Sequence, residues 1–426
     1  MMSWTEVRPV AGATVLPEER LPWPQTLAMG LQHVVAMFGA TVLAPLLMGF
    51  DPNVAVLMSG IGTLIFFFAV KGRVPSYLGS SFAFIGVVIA ATGYTAPGPN
   101  ANIGVALGGI IACGIVYALA GLAVTRLGTG WIERLMPPVV TGTVVAVIGL
   151  NLAAIPVKNM APTGFDAWMQ AVTFVSVALV AVYARGLTQR LLILVGLIIA
   201  SVIYWALANG LGLGRPMDFS AVTAAPWFGV PRFAAPSFSL SAILLIAPVA
   251  IVLMAENLGH LKAVGAMTGR NMDAQVGPAF IGDGVATIVS GAVGGTGVTT
   301  YAENIGVMAA TRVYSTLLFV VAAVAAIILG FSPKFGALIG AIPLPVMGGV
   351  SIVVFGLITV AGARIWVDNR VDFSRPENLM VAAIPLVLGT GDFTLRFGGF
   401  ALGGIGTATF GAILLWALLG RGAPRR

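Results

Sequence analysis

Apolar runs alternate with short stretches of glycine, proline and charged residues along the whole chain. Most runs reach about 20 residues, the length that a helix needs to cross the hydrocarbon core of a bilayer. The pattern predicts fourteen segments, at 26–49, 52–70, 82–94, 103–126, 137–157, 168–184, 191–210, 240–262, 276–293, 303–311, 314–333, 336–360, 378–391 and 399–420. The chain is therefore predicted to be an all-α polytopic membrane protein.

Composition strengthens this prediction. Hydrophobic residues make up 58% of the chain and charged residues 9%, whereas an ordinary soluble domain has about 25% charged residues. The mean hydropathy is +1.00, and no stretch is left for a soluble domain. The polar stretch up to Trp23 lacks the pattern of a signal peptide, so we expect the first helix to remain in the mature protein. The single cysteine, Cys113, excludes an internal disulfide and is interpreted as a packing residue.

The basic residues between the segments predict the orientation. With a cytoplasmic N-terminus, 17 of the 22 Lys and Arg residues fall on the cytoplasmic side. The others are Lys158, Arg215, Arg232, Lys334 and Arg396. This asymmetry predicts that both termini are cytoplasmic. The net charge of +7 is thereby explained as an orientation signal, and no nucleic-acid partner is implied.

The two halves of the chain resemble each other weakly. "LMPPVVTG" at 135–142 is similar to "IPLPVMGG" at 342–349, and "SGIGTLIF" at 59–66 is similar to "IGDGVATI" at 281–288. Seven segments separate the copies, so the second copy runs in the opposite direction, as in the inverted 7+7 repeats of many secondary transporters. The third and tenth segments are too short to cross as helix alone. We expect extended pieces at 77–82 and 297–302 to pair as two short antiparallel strands in the protein interior.

Few ionisable groups lie inside the predicted segments. The acids are Glu256, Asp283 and Glu303, and the histidines are His33 and His260. Intramembrane ionisable groups usually mark functional sites, although they can also pair as buried contacts between helices. Glu303 begins the second half-helix, where the helix dipole favours a carboxylate. Glu256 and His260 are four residues apart, so they share a helix face and can share a proton.

The remaining two groups, Asp283 and His33, are weaker candidates for a functional role. Asp283 stands between two glycines and is interpreted mainly as a cap or as an interhelical hydrogen-bond partner. For His33, in "LQHVVAMFG", a structural and a functional role stay equally open.

Several motifs resemble the nucleobase–ascorbate transporter family, in particular its uracil permease branch. "ENIGVMAATR" at 303–312 is similar to the family signature of a polar residue, an asparagine, a spaced glycine and a threonine–basic pair. The likeness extends over the whole chain. The other matching stretches are "QHVVAMFGATVLAP" at 32–45, "GSSFAF" at 79–84, "AENLGH" at 255–260, "TTYAENIGVM" at 299–308 and "IPLPVMGGVSIVVFG" at 342–356.

The resemblance implies roles for individual residues. Implied substrate contacts are Glu256, Glu303, Phe82, Tyr301, Ala302, Ala40 and Phe355. The resemblance also places His260 near the proton pathway. From their chemistry we expect Glu256 and His260 to be the proton-coupling groups, and Asp283, His33 and Asn304 are candidate structural polar groups inside the membrane. Three positions differ from the uracil permeases. Phe355 stands where a tyrosine can occur, Ala302 replaces a glycine, and Asn257 replaces a histidine, so proton handling depends more on His260.

The resemblance also implies an organisation into a core and a gate domain. The expected units are a cytoplasmic N-terminal segment at 1–25, core parts at 26–127 and 240–334, and gate parts at 135–212 and 336–420. A homodimer in the bacterial inner membrane and an elevator-like movement of core against gate are implied. We expect the glycine-rich stretches "VTGTVVAVIG" and "MGGVSIVVFG", which contain Gly142 and Gly349, to be the sliding surfaces.

The chemistry of the candidate residues agrees with proton-coupled uptake of uracil, with thymine also possible. Uracil is a flat ring with two N–H donors and two carbonyl acceptors. A site for it needs carboxylates that accept from the N–H groups, backbone N–H groups that donate to the carbonyls, and an aromatic side chain against the ring. A purine carrier for xanthine or urate is the alternative within the family. An anion exchanger or channel of the sulfate-transporter-like fold is disfavoured because Glu303 repels anions. An enzyme is disfavoured because the histidines lie in separate halves, and no metal or cofactor is expected.

Overall fold

The protein is described here by a computed structural model that covers residues 3–8, 13–94, 98–397 and 400–420. Most of this part is helical. The helices are α1 Trp23–Met48, α2 Pro52–Ala69, α3 Phe84–Thr92, α4 Ile103–Leu127, α5 Gly130–Leu135, α6 Pro138–Leu152, α7 Ala154–Asn159, α8 Gly164–Tyr183, α9 Leu187–Arg190, α10 Leu192–Trp205, α11 Ser220–Ala224, α12 Leu240–Ile246, α13 Val249–Thr268, α14 Asp273–Val293, α15 Ala302–Thr311, α16 Thr316–Gly330, α17 Pro333–Gly340, α18 Leu344–Asp368, α19 Pro376–Thr390 and α20 Gly404–Leu419. The strands are β1 Thr5–Glu6, β2 Glu19–Arg20, β3 Leu78–Ser80, β4 Val298–Thr300, β5 Leu395–Phe397 and β6 Phe400–Leu402.

The apolar helices make this a multi-pass membrane protein. Within the described residues, nine helical segments are long and apolar enough to cross a membrane, and a tenth is added if α16 and α17 form one bent span. Two further apolar helices, α19 and α20, are shorter, with 15 and 16 residues, and the half-helices α3 and α15 have 9 and 10 residues. The count of fourteen segments therefore stays a prediction.

One predicted boundary is wrong. The sequence predicts a single segment at 336–360, whereas the structure has a short α17 followed by α18, which begins at Leu344 and ends at Asp368. Two prolines explain the difference, because α17 begins at Pro333 and α18 begins directly after Pro343. Pro333 starts α17 after Ser332, whose side chain accepts a hydrogen bond from the N–H of Phe335, and α17 is bent by 82° relative to α16.

The two extended pieces pair as predicted. β3 and β4 are antiparallel, with Leu78 opposite Thr300 and Ser80 opposite Val298. Both strands are fully buried. Each strand is followed by a half-helix, α3 after β3 and α15 after β4, so two helix N-termini begin at a buried strand pair. Pairing satisfies the strand backbone, which could not be left exposed at this depth.

The helices pack in two sets. α14 packs against α2 and α4, and α16 packs against α1 and α2. On the other side, α18 packs against α6 and α8, α10 packs against α8, and α19 packs against α6 and α20. α1 also contacts α10 and α18, so it lies at a junction between the two sets.

The N-terminal segment is bound to the ends of these helices. The N–H of Val15 donates to the carbonyl of Arg312, and the N–H of Tyr314 donates to the carbonyl of Val15. Glu18 forms a two-point ion pair with Arg270, with Oε–N distances of 2.6 and 2.9 Å. The Arg270 guanidinium lowers the pKa of the Glu18 carboxyl. The predicted cytoplasmic residues Arg421, Arg425 and Arg426 lie outside the described residues.

The stretches that contain Gly142 and Gly349 are predicted to slide against the core, but the two glycines themselves contact other helices of the predicted gate. A Cβ at Gly142 would lie 2.4 Å from Nε1 of Trp366, which is on α18. A Cβ at Gly349 would lie 2.4 Å from Cβ of Thr173, which is on α8. These glycines let α6, α8 and α18 approach one another, and all three helices belong to the predicted gate.

We therefore expect Gly349→Ala to lower the stability of the protein. The added methyl group overlaps Thr173, and such overpacking costs about 1–3 kcal/mol. The matched control is Gly356→Ala on the same helix, where no atom lies within 4 Å of the added Cβ. Thermal unfolding in detergent should show a lower midpoint for Gly349→Ala and an unchanged or higher one for Gly356→Ala. If Gly349→Ala left the unfolding midpoint unchanged but abolished transport, the surface around Gly349 would be supported as one that slides during transport.

Candidate functional site

Glu303 stands in the first turn of α15. The helix begins at Ala302, directly after β4 and Tyr301, and Glu303 is its second residue. The first N–H groups of a helix have no partner within the helix, and they carry the positive end of its dipole. A carboxylate acceptor and several backbone donors are thus placed together where the half-helix starts.

Glu303 lines a cavity of about 410 Å³, within the roughly 300–1,000 Å³ range of small-molecule sites. The lining residues come from α1, from the start of α10, from α15 and from α18. They are Val35, Ala36, Gly39, Leu191, Leu192, Ile193, Leu194, Ala302, Glu303, Gly306, Val307, Val354, Leu357, Ile358 and Ala361. Every lining residue besides Glu303 is apolar or glycine. The cavity therefore offers one carboxylate within an apolar wall.

Glu256 lies on α13 and is half-buried. Its carboxylate is close enough to Glu303 for the two charges to repel each other. Two carboxylates held near each other away from water are costly while both are ionised, and a proton on one of them relieves the repulsion. The predicted pair of acids is thus brought together, although Glu256 does not line the cavity described above.

His260 lies one turn beyond Glu256 on the same helix. Its Nδ1 is 2.7 Å from Oγ1 of Thr300, the last residue of β4. The hydrogen bond of His260 in the described structure is therefore to the strand, and not to Glu256 as a shared helix face suggested. Thr300 is 2% exposed, so this contact is buried on the strand side.

The aromatic residues implied by the resemblance contact each other. Phe82, immediately before α3, and Phe355 on α18 have ring centroids 5.9 Å apart and nearly perpendicular planes. Phe82 is half-buried, whereas Phe355 is completely buried. Ala40 on α1 is also buried. Phe355 and Ala40 thus pack behind the surface of the site, and Phe82 is the aromatic ring of the pair that retains exposure.

Tyr301 forms hydrogen bonds with the residues around β3. Its N–H donates to the carbonyl of Tyr77, and its hydroxyl donates to the carbonyl of Ser80 at 2.9 Å. Thr41 on α1 donates to the same hydroxyl at 3.1 Å. Gly79 must be glycine here, because an added Cβ would lie 2.5 Å from the Tyr301 ring. Tyr301 therefore fixes the start of α15, and its neighbour Ala302 is exposed and lines the cavity.

Asp283 forms an interhelical hydrogen-bond cluster. On α14 its Oδ2 accepts from Nδ2 of Asn257 at 2.6 Å and from the hydroxyl of Tyr117 at 3.3 Å. Asn257 also donates to the Tyr117 hydroxyl at 2.9 Å. All three side chains are fully buried. The contacts agree with the interhelical interpretation of Asp283, and they give Asn257 a structural role.

His33 and Asn304 link α1 to α15. Nδ2 of Asn304 lies 3.1 Å from Nδ1 of His33 and donates to its backbone carbonyl at 3.0 Å. The His33 ring also contacts Phe319, with centroids 4.6 Å apart. Both polar side chains are completely buried. The arrangement holds the half-helix next to Glu303 against α1, which favours the structural interpretation of His33.

Sequence reasoning missed several residues of the cavity and of its support. Gly306 lies one turn after Glu303, so helical periodicity could have placed it on the same face. Gly39 could have been suggested by its neighbour Ala40. Leu191 to Leu194 come from a distant segment, and no local pattern connects them with Glu303. Thr300 carries no signal of its own, because its role depends on where His260 lies.

Comparison with known proteins gives consistent matches along the chain. The family model Xan_ur_permease, which describes a permease family, matches residues 24–397. The Escherichia coli (strain K12) protein named "Putative pyrimidine permease RutG" is 67% identical over 407 residues, which cover 96% of this chain and 92% of that protein. The uracil permease of Paenibacillus larvae subsp. larvae is 43% identical over 411 residues, which cover 93% of this chain and 94% of that protein.

Among solved structures, the transmembrane domain of the bicarbonate transporter BicA from a cyanobacterium has the same fold. Its TM-score is 0.60 at 14% identity, and the match covers 91% of this chain and 96% of that domain. At such low identity the likeness concerns the fold alone.

Proposed function

Because the chain belongs to the nucleobase–ascorbate transporter family of permeases, we propose that it is a secondary active transporter that carries pyrimidine nucleobases together with protons. Uracil is the proposed first substrate, and thymine is a further one. The observation that carries the proposal is the carboxylate of Glu303 at the start of a half-helix, within an otherwise apolar cavity. Permeases are transporters, so no enzymatic reaction is assigned.

Recognition of the base follows from complementary hydrogen bonding. The Glu303 carboxylate accepts ring N–H groups, and the N–H groups at the start of α15 donate to a ring carbonyl. The half-buried ring of Phe82 covers a face of the flat base. Resemblance to the family adds Glu256, Ala302, Tyr301, Ala40 and Phe355 to the proposed site. Because the last three are buried, their proposed role is to support the surroundings of the site.

Coupling to protons is assigned to Glu256 and His260. Uracil is neutral, so a proton gradient drives its accumulation only if a protein group takes up a proton together with the base. Glu256 is close to Glu303, and a proton on Glu256 relieves the repulsion between them. His260, one turn away, is a second group able to accept a proton.

The proposed architecture has fourteen segments in a 7+7 inverted repeat, with both termini cytoplasmic in the inner membrane. The core comprises the segments of 26–127 and 240–334, and the gate those of 135–212 and 336–420. The packing of α14 on α2 and α4, and of α18 on α6 and α8, supports this division. An elevator-like movement would then displace α1 and α15 relative to α10 and α18. A homodimer through the gate completes the proposal.

A competition panel on the purified protein tests the substrate. Uracil, thymine, cytosine, xanthine, urate and bicarbonate would each be added in a thermal-shift measurement, followed by competition against radiolabelled uracil. We expect stabilisation by uracil and thymine, and weak or no effect of the others. A larger shift with xanthine or urate would replace this proposal by the purine alternative. A shift with bicarbonate alone would favour an anion carrier.

A further inference from the structure

Thr300 joins the two polar parts of the site. It is the last residue of β4, opposite Leu78 of β3, and the half-helix that carries Glu303 begins two residues later. Its Oγ1 lies 2.7 Å from Nδ1 of His260 on α13. Thr300 thus connects α13, which carries the proposed proton-coupling groups, to β4, and β4 leads into α15, which carries Glu303.

We propose that Thr300 is a positioning residue that fixes the ring of His260 relative to β4 and so ties proton uptake to the base site. The inference rests on the proposed function, because it concerns the same transport reaction. A threonine hydroxyl both donates and accepts. It can donate to Nδ1 of a neutral imidazole, and it can accept from Nδ1–H after the ring has taken up a proton. The same contact therefore serves both charge states.

The strand is a rigid partner for this contact. The N–H of Tyr301 donates to the carbonyl of Tyr77, and the N–H of Ser81 donates to the carbonyl of Gly297, so the ladder is closed at both ends. Thr300 is 2% exposed and has little room to change its position. A change in the proton on His260 must therefore be accommodated by reorienting the hydroxyl or by moving α13 relative to β4.

Other titratable groups surround the helix of His260. Glu256 is on α13 itself, Asp283 on α14, Tyr117 on α4 and Glu303 on α15. Asp283 and Tyr117 bond to Asn257, and Glu256 interacts with Glu303. Within the part of the chain that the structure describes, the side chain of His260 forms its hydrogen bond with Thr300. Replacing Thr300 should therefore change the orientation and hydrogen bonding of the His260 ring directly.

The first test uses nuclear magnetic resonance and needs no transport. The chain has two histidines, so ¹⁵N-histidine labelling gives the signals of two rings, and those of His260 are identified by their absence in His260→Gln. We expect Thr300→Val to shift the Nδ1 signal of His260 and to change its titration with pH. Thr300→Ser, which keeps the hydroxyl, should preserve the wild-type signal. An unchanged His260 signal in Thr300→Val would overturn the proposal.

The second test measures uracil uptake into proteoliposomes along an imposed proton gradient. We expect Thr300→Val to lower uracil accumulation about tenfold, because a tenfold change corresponds to the loss of about one hydrogen bond. Uracil binding to the purified protein should change less than about threefold. Thr300→Ser should restore accumulation. In the His260→Gln background, Thr300→Val should add no further loss. If Thr300→Val lowered accumulation equally in the wild-type and the His260→Gln protein, Thr300 would act independently of His260, as a structural residue of β4.

The two tests separate the two ideas. If wild-type protein neither binds nor accumulates uracil, the proposed function fails, while the His260 signals still decide whether Thr300 positions the ring. If uracil is accumulated and the signals are unaffected by Thr300→Val, only the positioning role fails.

Discussion

Glu303→Gln should weaken uracil binding at least about tenfold. The glutamine keeps the size of the side chain but replaces one acceptor oxygen by an NH₂ donor, which would face a ring N–H of the base. Buried polar groups left unpaired in this way cost on the order of 1–3 kcal/mol, or roughly 5- to 150-fold in affinity. Since the remaining cavity wall is apolar, no other lining side chain can replace the lost acceptor. Xanthine, with a different donor and acceptor pattern, should lose less.

The matched control for this change is Asp368→Asn. It replaces an acid by its amide on the exposed end of α18, where Asp368 pairs with Arg364. Exposed pairs of this kind are worth about 0–1 kcal/mol, so uracil affinity should stay at the wild-type value. Titration calorimetry on the three proteins makes the comparison. Unchanged uracil affinity in Glu303→Gln would make Glu303 a structural cap of α15 and would remove it from the site.

Glu256→Gln should keep measurable uracil binding and abolish accumulation against a gradient. The amide still offers an acceptor oxygen, but it cannot take up a proton. The repulsion between Glu256 and Glu303 disappears permanently, so binding no longer depends on a proton. Uptake assays with and without an imposed pH gradient should show equilibration of uracil and no concentration. Retained pH-driven accumulation in this variant would remove Glu256 from the coupling role.

The parts of the fold that follow from local chain properties were predictable. Apolar run lengths placed the long helices, and the two short runs led to the pairing of β3 with β4. The break between α17 and α18 was missed because the apolar pattern continues across Pro343 and Pro345, where hydropathy alone cannot show that one helix ends and another begins. The glycines at 142 and 349 show a second limit. Small residues signal a close approach, but only the folded structure shows that α18 and α8 are the partners.

The site was predictable where a residue is chemically out of place. A carboxylate in an apolar chain makes Glu303 and Glu256 candidates without any structure, and the structure places Glu303 in the cavity wall. The walls of the cavity were not predictable, because Leu191 to Leu194 are more than 100 residues away from Glu303 along the chain and carry no distinguishing chemistry. The partner of His260 was predicted as Glu256 from helical spacing. The structure gives Thr300 because strand and helix meet there.

The most direct test of the account is uptake of radiolabelled uracil into proteoliposomes that contain only this protein. With an inward proton gradient, we predict accumulation of uracil above its external concentration, its collapse on adding a protonophore, and competition by thymine. Uptake no greater than in protein-free liposomes, or gradient-driven accumulation of xanthine in place of uracil, would contradict the account.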